Sequence, residues 1–267
     1  MTSTNNNNNN NNLNIISKDS IRRLLKDVKD IIKHPLYDNG IYYKHDDEDM
    51  LKGYALIIGP TETPYFGGNY FFEFVYPYNY PYSPPKVKFC TGGEDVRFNP
   101  NLYTSGKVCL SILNTWTGDQ WTSSQNISTV LLNLCTLFCI NPLLNEPGIN
   151  KFHPDLENYN KIIEYENMNI AIGDILLKEF ELKESDNTNT NTNTNLTKNP
   201  NYFSYLFKQE MIENFNKNLD NYLLFAEQKK CEYLVPMLFK TGIYNLKILI
   251  NYEKVIKKLL LCKEYIN

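Results

Sequence analysis

One cysteine stands in a setting that could support acyl transfer. Cys109 lies between a turn-forming stretch, residues 104–106, and an apolar run that begins at Leu110. Asn101 lies eight residues upstream, directly behind Pro100. A thiolate attacks a carbonyl carbon, and a nearby amide N–H can stabilise the oxyanion that forms. The pair predicts a thiol acyl-transfer centre, but a lone cysteine is more often a small buried hydrophobe, so spacing alone leaves both interpretations open.

The remaining cysteines and histidines offer no comparable site. The sequence has no CxxC pair, and its three histidines do not cluster with cysteines. Cys135 and Cys139 share a helix face, but a zinc site needs two further ligands, so they and Cys90 are predicted core residues. A cysteine protease remains a weaker alternative, because it needs a histidine base and only His153 lies within about fifty residues of Cys109.

Composition limits the classes of function. The 267 residues, 42% of them hydrophobic, allow one large domain with an extension. A net charge of -3 gives no indication of a nucleic-acid partner or of binding to an anionic membrane. The apolar runs are shorter than the ~18 residues that a membrane span needs. Irregular cysteine spacing without a secretory signal predicts reduced thiols and a cytoplasmic or nuclear protein.

Periodicity predicts the elements that must position Cys109. A helix is predicted over Asp19–Lys33 with Ser17 or Asp19 as its cap, and residues 44–49 are predicted to form a charged loop. An antiparallel meander of three or four strands is predicted from Tyr54–Ile58, Tyr70–Val75 and Lys86–Phe89, and Tyr80–Pro81 is a candidate cis bond. Further helices are predicted over Ser123–Cys139, Asp155–Tyr165, Ala171–Leu182, Tyr202–Tyr233 and Tyr244–Tyr265.

Two low-complexity segments divide the chain into regions. Residues 1–16 contain an unbroken asparagine tract and are predicted to be disordered, because they have too little apolar surface to offset the entropy of ordering. Residues 185–199 are an Asn/Thr repeat and are predicted to be a flexible linker. We therefore predict a core over 17–184 and a helical C-terminal extension over 200–267.

The segment 54–148 resembles the ubiquitin-conjugating enzymes. The motifs that carry the resemblance are Gly59-Pro60, Thr63–Gly68, Tyr80–Val87, Asn99–Asn101, Gly106–Leu113, Trp121 and Asn141-Pro142. Their order and spacing are highly specific, and the likeness covers about residues 18–182. The Z-type branch, which has a C-terminal extension, shares residues 96–101, the insert between Trp116 and Trp121, and residues 145–148.

This resemblance implies an α+β UBC fold: an N-terminal helix, a four-strand antiparallel meander, a central helix and C-terminal helices, here followed by the extension. Two departures from the family pattern stand out. Asn99 replaces the histidine that begins the Pro-Asn motif in most members, a change that the Z-type branch shares. Thr122-Ser123-Ser124 replaces Ser-Pro-Ala in a loop that contacts ligases, which puts the usual ligase-docking surface in doubt.

The resemblance also implies the chemistry. Cys109 would accept ubiquitin or a ubiquitin-like protein from an activating enzyme (E1) as a thioester, then pass it to a substrate lysine or to a ligase (E3). Asn101 would donate to the oxyanion or hold the loop that positions it. Glu146 is the candidate for orienting the attacking amine, with Asn145 second, unless both are only turn residues. No metal or organic cofactor is implied, since the activating enzyme uses the ATP.

Partner-binding residues follow from the same likeness. Arg22, Arg23 and Lys26 on the first helix would meet the activating enzyme, although a solvated face is the simpler interpretation. The predicted ligase contacts are Tyr82, Pro84 and Ser123. The activity requires the Cys109 sulfur to lie exposed beside a shallow groove. A catalytically inactive UBC-fold module that binds ubiquitin is the alternative, and the presence of Cys109 argues against it.

Overall fold

The computed structural model describes residues 16–92, 96–178 and 202–266. Nearly all of the predicted N-terminal tail and the whole predicted linker, 185–199, lie outside the described residues. The described chain begins with helix α1 and a four-strand sheet, continues through two helices and ends in an extension of helices and a hairpin. The elements of the first part are α1 (Lys18–Lys33), β1 (Ile41–His45), β2 (Lys52–Ile58), β3 (Asn69–Val75), β4 (Lys86–Phe89), α2 (Ile127–Cys135) and α3 (Leu156–Glu166).

The sheet is an antiparallel meander in the order β1-β2-β3-β4. The prediction of a charged loop over 44–49 was wrong for its first two residues, because Lys44 and His45 pair with Tyr54 and Gly53 in the β1–β2 ladder. The turn starts only at Asp46, whose carboxylate accepts the backbone N–H groups of Glu48 and Asp49 at 2.9 and 2.7 Å. The charged residues therefore predicted a loop where the chain is still a strand, because pairing with β2 determines where β1 ends.

Helix α1 begins where Ser17 caps it. The Ser17 side chain accepts the backbone N–H of Ser20 at 3.1 Å, as an N-cap does. The inward face of the helix buries Leu24, Val28 and Ile31 against the sheet and α2. The apolar spacing of the sequence therefore predicted both this helix and its buried face.

Helix α2 is shorter than predicted and lies in the centre of the core. Asn126 caps it by accepting the backbone N–H of Thr129 at 2.9 Å, so the helix starts at Ile127 and not at Ser123. The residues before the cap form a turn in which Gln125 N–H donates to the Thr122 carbonyl. The helix ends at Cys135, four residues before the predicted end.

The two helices predicted over 155–182 are joined. Helix α3 passes into a π-helical segment, Asn167–Asp174, and helical residues 175–178 follow. Polar side chains of the sheet stabilise this segment: Tyr70 OH donates to Asn167 Oδ1 at 2.6 Å, and Asn69 Nδ2 donates to the Ala171 carbonyl at 2.9 Å. In a π-helix each backbone hydrogen bond spans five residues instead of four, an arrangement that is rare in proteins. The hydrogen bonds from the sheet help to stabilise it here.

The C-terminal extension is only partly helical. It consists of α4 (Tyr202–Leu206), α5 (Lys208–Glu232), β5 (Met237–Lys240), β6 (Lys247–Ile250) and α6 (Tyr252–Ile266). The helix predicted from Tyr244 was therefore wrong over its first residues, which form the turn and second strand of an antiparallel hairpin. Tyr244 and Asn245 adopt positive φ angles of 61° and 51°, which end any helix here.

The extension covers the outer face of the sheet, a contact that we call the extension seam. Phe203 packs edge-on against Tyr54, and Phe71 lies against both Phe203 and Phe207 with ring centroids 5.3 and 6.2 Å away. Lys44 adds an ion pair with Glu210 at 2.7 Å. The seam explains why both faces of β2 and β3 are apolar. None of the helices within the described ranges is long and apolar enough to cross a membrane.

Candidate active site

Cys109 lies in a short segment of turns and isolated bridges, residues 98–115, which we call the thiol segment and which includes the 3-10 turn Ser111–Leu113. The chain turns back at Gly106, whose φ of 88° is easily adopted only by glycine. An isolated bridge joins Leu102 to Val108 across this turn, and a second bridge joins Asn99 to Leu102 just before it. The turn therefore brings Asn101 opposite Cys109, although eight residues separate them in sequence.

Asn101 holds the Cys109 backbone from both sides. The backbone N–H of Cys109 donates to the Asn101 carbonyl at 2.9 Å, and Asn101 Nδ2 donates to the Cys109 carbonyl at 2.7 Å. Of the two predicted roles, this geometry directly displays the positioning role. An amide nitrogen carries two protons, so Nδ2 keeps a second donor for a developing oxyanion.

Asn99 fixes the start of the thiol segment to the core. It is fully buried, its Nδ2 donates to the Leu137 carbonyl at 2.8 Å and its Oδ1 accepts the Asn101 N–H at 2.9 Å. Tyr65 contacts the same amide and donates to the Phe98 carbonyl at 2.6 Å. The residue that departs from the common histidine therefore anchors the loop behind Asn101 and does no chemistry of its own.

The prediction that the Cys109 sulfur is exposed is not met, because the residue is only 1% exposed. The reason is that the chain folds tightly on both sides of it: Asn101 clamps its backbone, and Thr115 Oγ1 bonds both backbone groups of Leu110 at 2.9 and 3.1 Å. Cys109 nevertheless lies outside the contiguous apolar cluster to which Val108 and Ile112 belong. The residue is covered by its own loops and is not part of the core.

The other cysteines occupy different surroundings. Burial raises the pKa of the Cys90 and Cys262 thiols to about 12, and it also raises the pKa of Cys135 and Cys139. Cys262 lies in the extension, and its thiol faces the Gly173 carbonyl at 3.6 Å. These thiols stay protonated at neutral pH and are poor nucleophiles. Cys231 is exposed on α5.

Glu146 lies at the end of the 3-10 turn Pro142–Asn145, and a residue of the extension holds its carboxylate. Tyr244, in the turn between β5 and β6, donates its hydroxyl to Glu146 Oε2. Asn145, the second candidate, is half-buried beside it, and its Nδ2 has no hydrogen-bond partner among the described residues. The sequence interpretation did not assign a role to Tyr244.

Arg97 is a second residue that the sequence interpretation missed. Its guanidinium is sandwiched between two tyrosine rings, with Cζ 3.7 Å from the Tyr103 centroid and 4.1 Å from the Tyr244 centroid. Its Nη2 donates to the Pro100 carbonyl at 2.5 Å, directly before Asn101. Arg97 lies in the stretch 96–101 that the Z-type branch shares, which was the available signal; nothing in the local pattern marks Tyr244.

Of the predicted activating-enzyme contacts, Arg23 is used internally. Its Nε pairs with the buried Asp27 carboxylate at 2.9 Å, and Nη1 and Nη2 donate to the Ser123 and Gln125 carbonyls at 2.5 and 2.6 Å. Arg23 therefore fixes the loop before α2 and has little left for a partner. Arg22 and Lys26 lie exposed on the same helix.

The predicted ligase contacts lie on two loops that are joined by a hydrogen bond. Tyr82 is 76% exposed, Ser123 is exposed and Pro84 is half-buried. Trp121 Nε1 donates to the Pro81 carbonyl at 2.6 Å and so ties the loop of Tyr82 to the loop of Ser123. The bond between Tyr80 and Pro81 is cis, as predicted. In the described part of the chain, no group of three or more His, Cys, Asp or Glu side chains could hold a metal ion.

Comparison with known proteins identifies the family of this chain. The family model described as ubiquitin-conjugating enzyme matches residues 23–167. Ubiquitin-conjugating enzyme E2 Z from Danio rerio is 47% identical over 163 residues, 60% of this chain and 49% of the relative. Its Homo sapiens counterpart is 46% identical over 157 residues, 58% of this chain and 44% of the relative.

A human protein with a second activity in its name also matches. The dual E2 ubiquitin-conjugating enzyme/E3 ubiquitin-protein ligase BIRC6 is 43% identical over 121 residues, 42% of this chain and 2% of the relative. The chain spans about half the length of the E2 Z relatives. The resemblance inferred from the motifs, including the Z-type branch, is confirmed: this chain belongs to the ubiquitin-conjugating enzyme family.

Proposed function

We propose that this chain is an active ubiquitin-conjugating enzyme. It carries ubiquitin, or a ubiquitin-like protein, as a thioester on Cys109 and transfers it to a lysine or to a ligase. The observation that supports the proposal is the two-sided clamp of Asn101 on the Cys109 backbone, within a segment that the family model matches. The clamp fixes the backbone from which the Cys109 thiol projects, whereas the buried Cys262 lies within the regular helix α6.

The chemistry consists of two exchanges at one sulfur. Because Cys109 is only 1% exposed in the structure, charging requires the residues that cover it to move aside and give the modifier access to the sulfur. The Cys109 thiolate then attacks the thioester carbonyl of the modifier on the activating enzyme, whose thiolate leaves. In transfer, a neutral lysine amine attacks the new thioester, and the amine loses a proton as the Cys109 thiolate leaves. Both steps pass through an oxyanion that the second Nδ2 proton of Asn101 can stabilise, and one such donor is worth ~2.7–4 kcal/mol.

The surface supports the remaining partner assignments. Arg22 and Lys26 offer an exposed basic face for the activating enzyme, and Tyr82 with Ser123 offers a ligase contact whose loops Trp121 joins. In this scheme Arg23 positions the ligase loop through the Ser123 carbonyl. The protein would act in the cytoplasm or nucleus on a protein substrate, without a resident metal or cofactor.

A charging assay tests the proposal. The protein is incubated with an activating enzyme, ubiquitin and ATP, and a reductant-sensitive adduct is expected. Cys109→Ala should abolish the adduct, whereas Cys231→Ala, a change at an exposed thiol, should keep it. Absence of the adduct across a panel of activating enzymes and ubiquitin-like modifiers would contradict the proposal. Retained ubiquitin binding in that case would favour the inactive module.

A further inference from the structure

The turn between β5 and β6 inserts one side chain beside the candidate active site. Residues 241–246 are anchored at the start of α3, where the Ile243 N–H donates to Asp155 Oδ2 at 2.8 Å and Asn158 Nδ2 donates to the Lys240 carbonyl at 3.1 Å. Tyr244 then packs against Tyr159, with ring centroids 6.1 Å apart. The extension therefore holds Tyr244 at a fixed place.

Tyr244 makes two contacts there, and each leads to a residue of the proposed reaction. Its hydroxyl donates to the Glu146 carboxylate, the candidate for orienting the attacking amine. Its ring covers Arg97, whose Nη2 donates to the Pro100 carbonyl next to Asn101. A single side chain thus links Glu146 to the loop that clamps Cys109.

The backbone at this point is held in an uncommon conformation. Tyr244 and the following Asn245 have φ angles of 61° and 51°, in the left-handed region that bulky residues rarely adopt. Such conformations persist where the surrounding contacts fix them, and they are concentrated at functional sites. The Thr241 hydroxyl, which donates to the Ile243 carbonyl at 2.6 Å, is one of the contacts that fix this turn.

We propose that Tyr244 is a positioning residue for transfer of the modifier to an amine, and that it acts by holding the Glu146 carboxylate and the Arg97–Asn101 loop in place. The inference rests on the proposed function. An ionised carboxylate has about four acceptor sites, so the hydroxyl of Tyr244 leaves Glu146 free to accept an amine N–H. Burial, and then the hydrogen bond to Glu146, raise the pKa of Tyr244, so the hydroxyl remains a donor in the alkaline range.

The test separates charging from transfer. Each variant is charged with ubiquitin, the activating enzyme is stopped, and loss of the thioester to free L-lysine is followed in a single turnover. Tyr244→Phe keeps the ring over Arg97 and removes only the hydroxyl. It should charge within about twofold of the unmodified protein and transfer about fivefold more slowly, since a hydrogen bond to a charged group is lost.

A matched control and a double variant make the test specific. Tyr222→Phe removes another buried hydroxyl by which the extension contacts the body, at the Gly67 carbonyl, and should leave transfer unchanged. Glu146→Ala removes the acceptor and should slow transfer, and Tyr244→Phe should add nothing in that background, because both changes remove the same hydrogen bond. A merely structural role would show the Tyr244→Phe effect undiminished in the Glu146→Ala protein.

The outcomes distinguish the two proposals. If the unmodified protein forms no thioester, the proposed function fails and this inference with it. If the unmodified protein charges normally, the inference alone is overturned by transfer at full rate in Tyr244→Phe, by multiplicative effects in the double variant, or by equal losses of charging and transfer.

Discussion

The thiol segment and the extension seam are built from opposite kinds of interaction. Within the thiol segment, single hydrogen bonds fix the backbone at Cys109, chiefly from the amides of Asn99 and Asn101, while Val108 and Ile112 anchor the segment in the core. Aromatic burial holds the seam, where Phe207 and Tyr54 are almost fully buried. Hydrogen bonds are directional and fix the position of one atom, whereas burial of apolar area is non-directional and contributes mainly to stability.

The difference predicts which property a substitution will change. Loss of the Asn101 side chain in the thiol segment should alter the rate of transfer more than the free energy of unfolding. In the seam a substitution should alter the free energy of unfolding and leave the chemistry of the folded molecules intact. Tyr244 belongs to the extension but contacts the site, so a substitution there can change both the rate of transfer and the free energy of unfolding.

Thiol reactivity in the extension should show the largest contrast. With a pKa of about 12, Cys262 is a thiolate in only about one molecule in 10⁴ at pH 8, and the fraction rises about tenfold per pH unit up to that pKa. Iodoacetamide should therefore label the exposed Cys231 and spare Cys262 in the folded protein, as read by peptide mass spectrometry. Equal labelling of the two at pH 8 would show that α6 does not bury its thiol.

Phe207→Ala should give the largest loss of stability. The side chain is fully buried, stacks on Phe71 and lies under Lys44, so its removal should cost about 3–5 kcal/mol of unfolding free energy in urea denaturation. Phe152→Ala, at a residue 81% exposed, is the control and should cost under about 0.5 kcal/mol. Thioester formation by folded Phe207→Ala protein should stay normal, and its loss would mean that the seam also supports the site.

Asn101→Ala should show the reverse of Phe207→Ala: a large loss of transfer rate with a small loss of stability. Loss of Nδ2 removes both the clamp on the Cys109 carbonyl and the donor for the oxyanion, so single-turnover transfer should fall about 100-fold. The control is Gln209→Ala, which removes an exposed amide bond to Glu213 on α5 and should transfer normally. Transfer within tenfold of the unmodified protein would leave Asn101 as a turn residue.

Glu210→Gln should have the smallest effect. It removes the charge from the ion pair with Lys44 at the edge of the seam, where Lys44 is 37% exposed. Pairs of this kind contribute about 0.2–1 kcal/mol, and salt screens them, so the thermal midpoint should fall slightly at low salt and not at 1 M. Glu253→Gln, which breaks a more exposed ion pair with Lys257 on α6, should lower the midpoint less at low salt and not at 1 M.

The sequence predicted best what short-range patterns determine. Alternation and capping placed α1, β2, β3 and β4 to within two residues. The spacing of Asn101 and Cys109 also predicted their meeting, because one glycine turn between them closes the gap. Each of these features depends on residues that are close together in the chain, so the residue types at those positions are enough to predict it.

The errors concern long-range contacts. β1 was not predicted, and its last two residues were assigned to a charged loop, because only pairing with β2 keeps those polar residues extended. The helix expected from Tyr244 is a hairpin turn whose conformation depends on Asp155, some ninety residues away. The burial of Cys109 and the Tyr244–Glu146 contact were missed for the same reason, since nothing adjacent in sequence specifies either.

The extension covers the outer face of the sheet, and this contact determines what happens when the chain is shortened. The family model ends at residue 167, yet Tyr54 and Phe71 are buried by residues beyond 200. A shortened chain that kept only the matched segment would present a row of aromatic rings to water, and such patches drive self-association. We therefore expect the part of the chain that the family model matches to depend on the extension for its solubility.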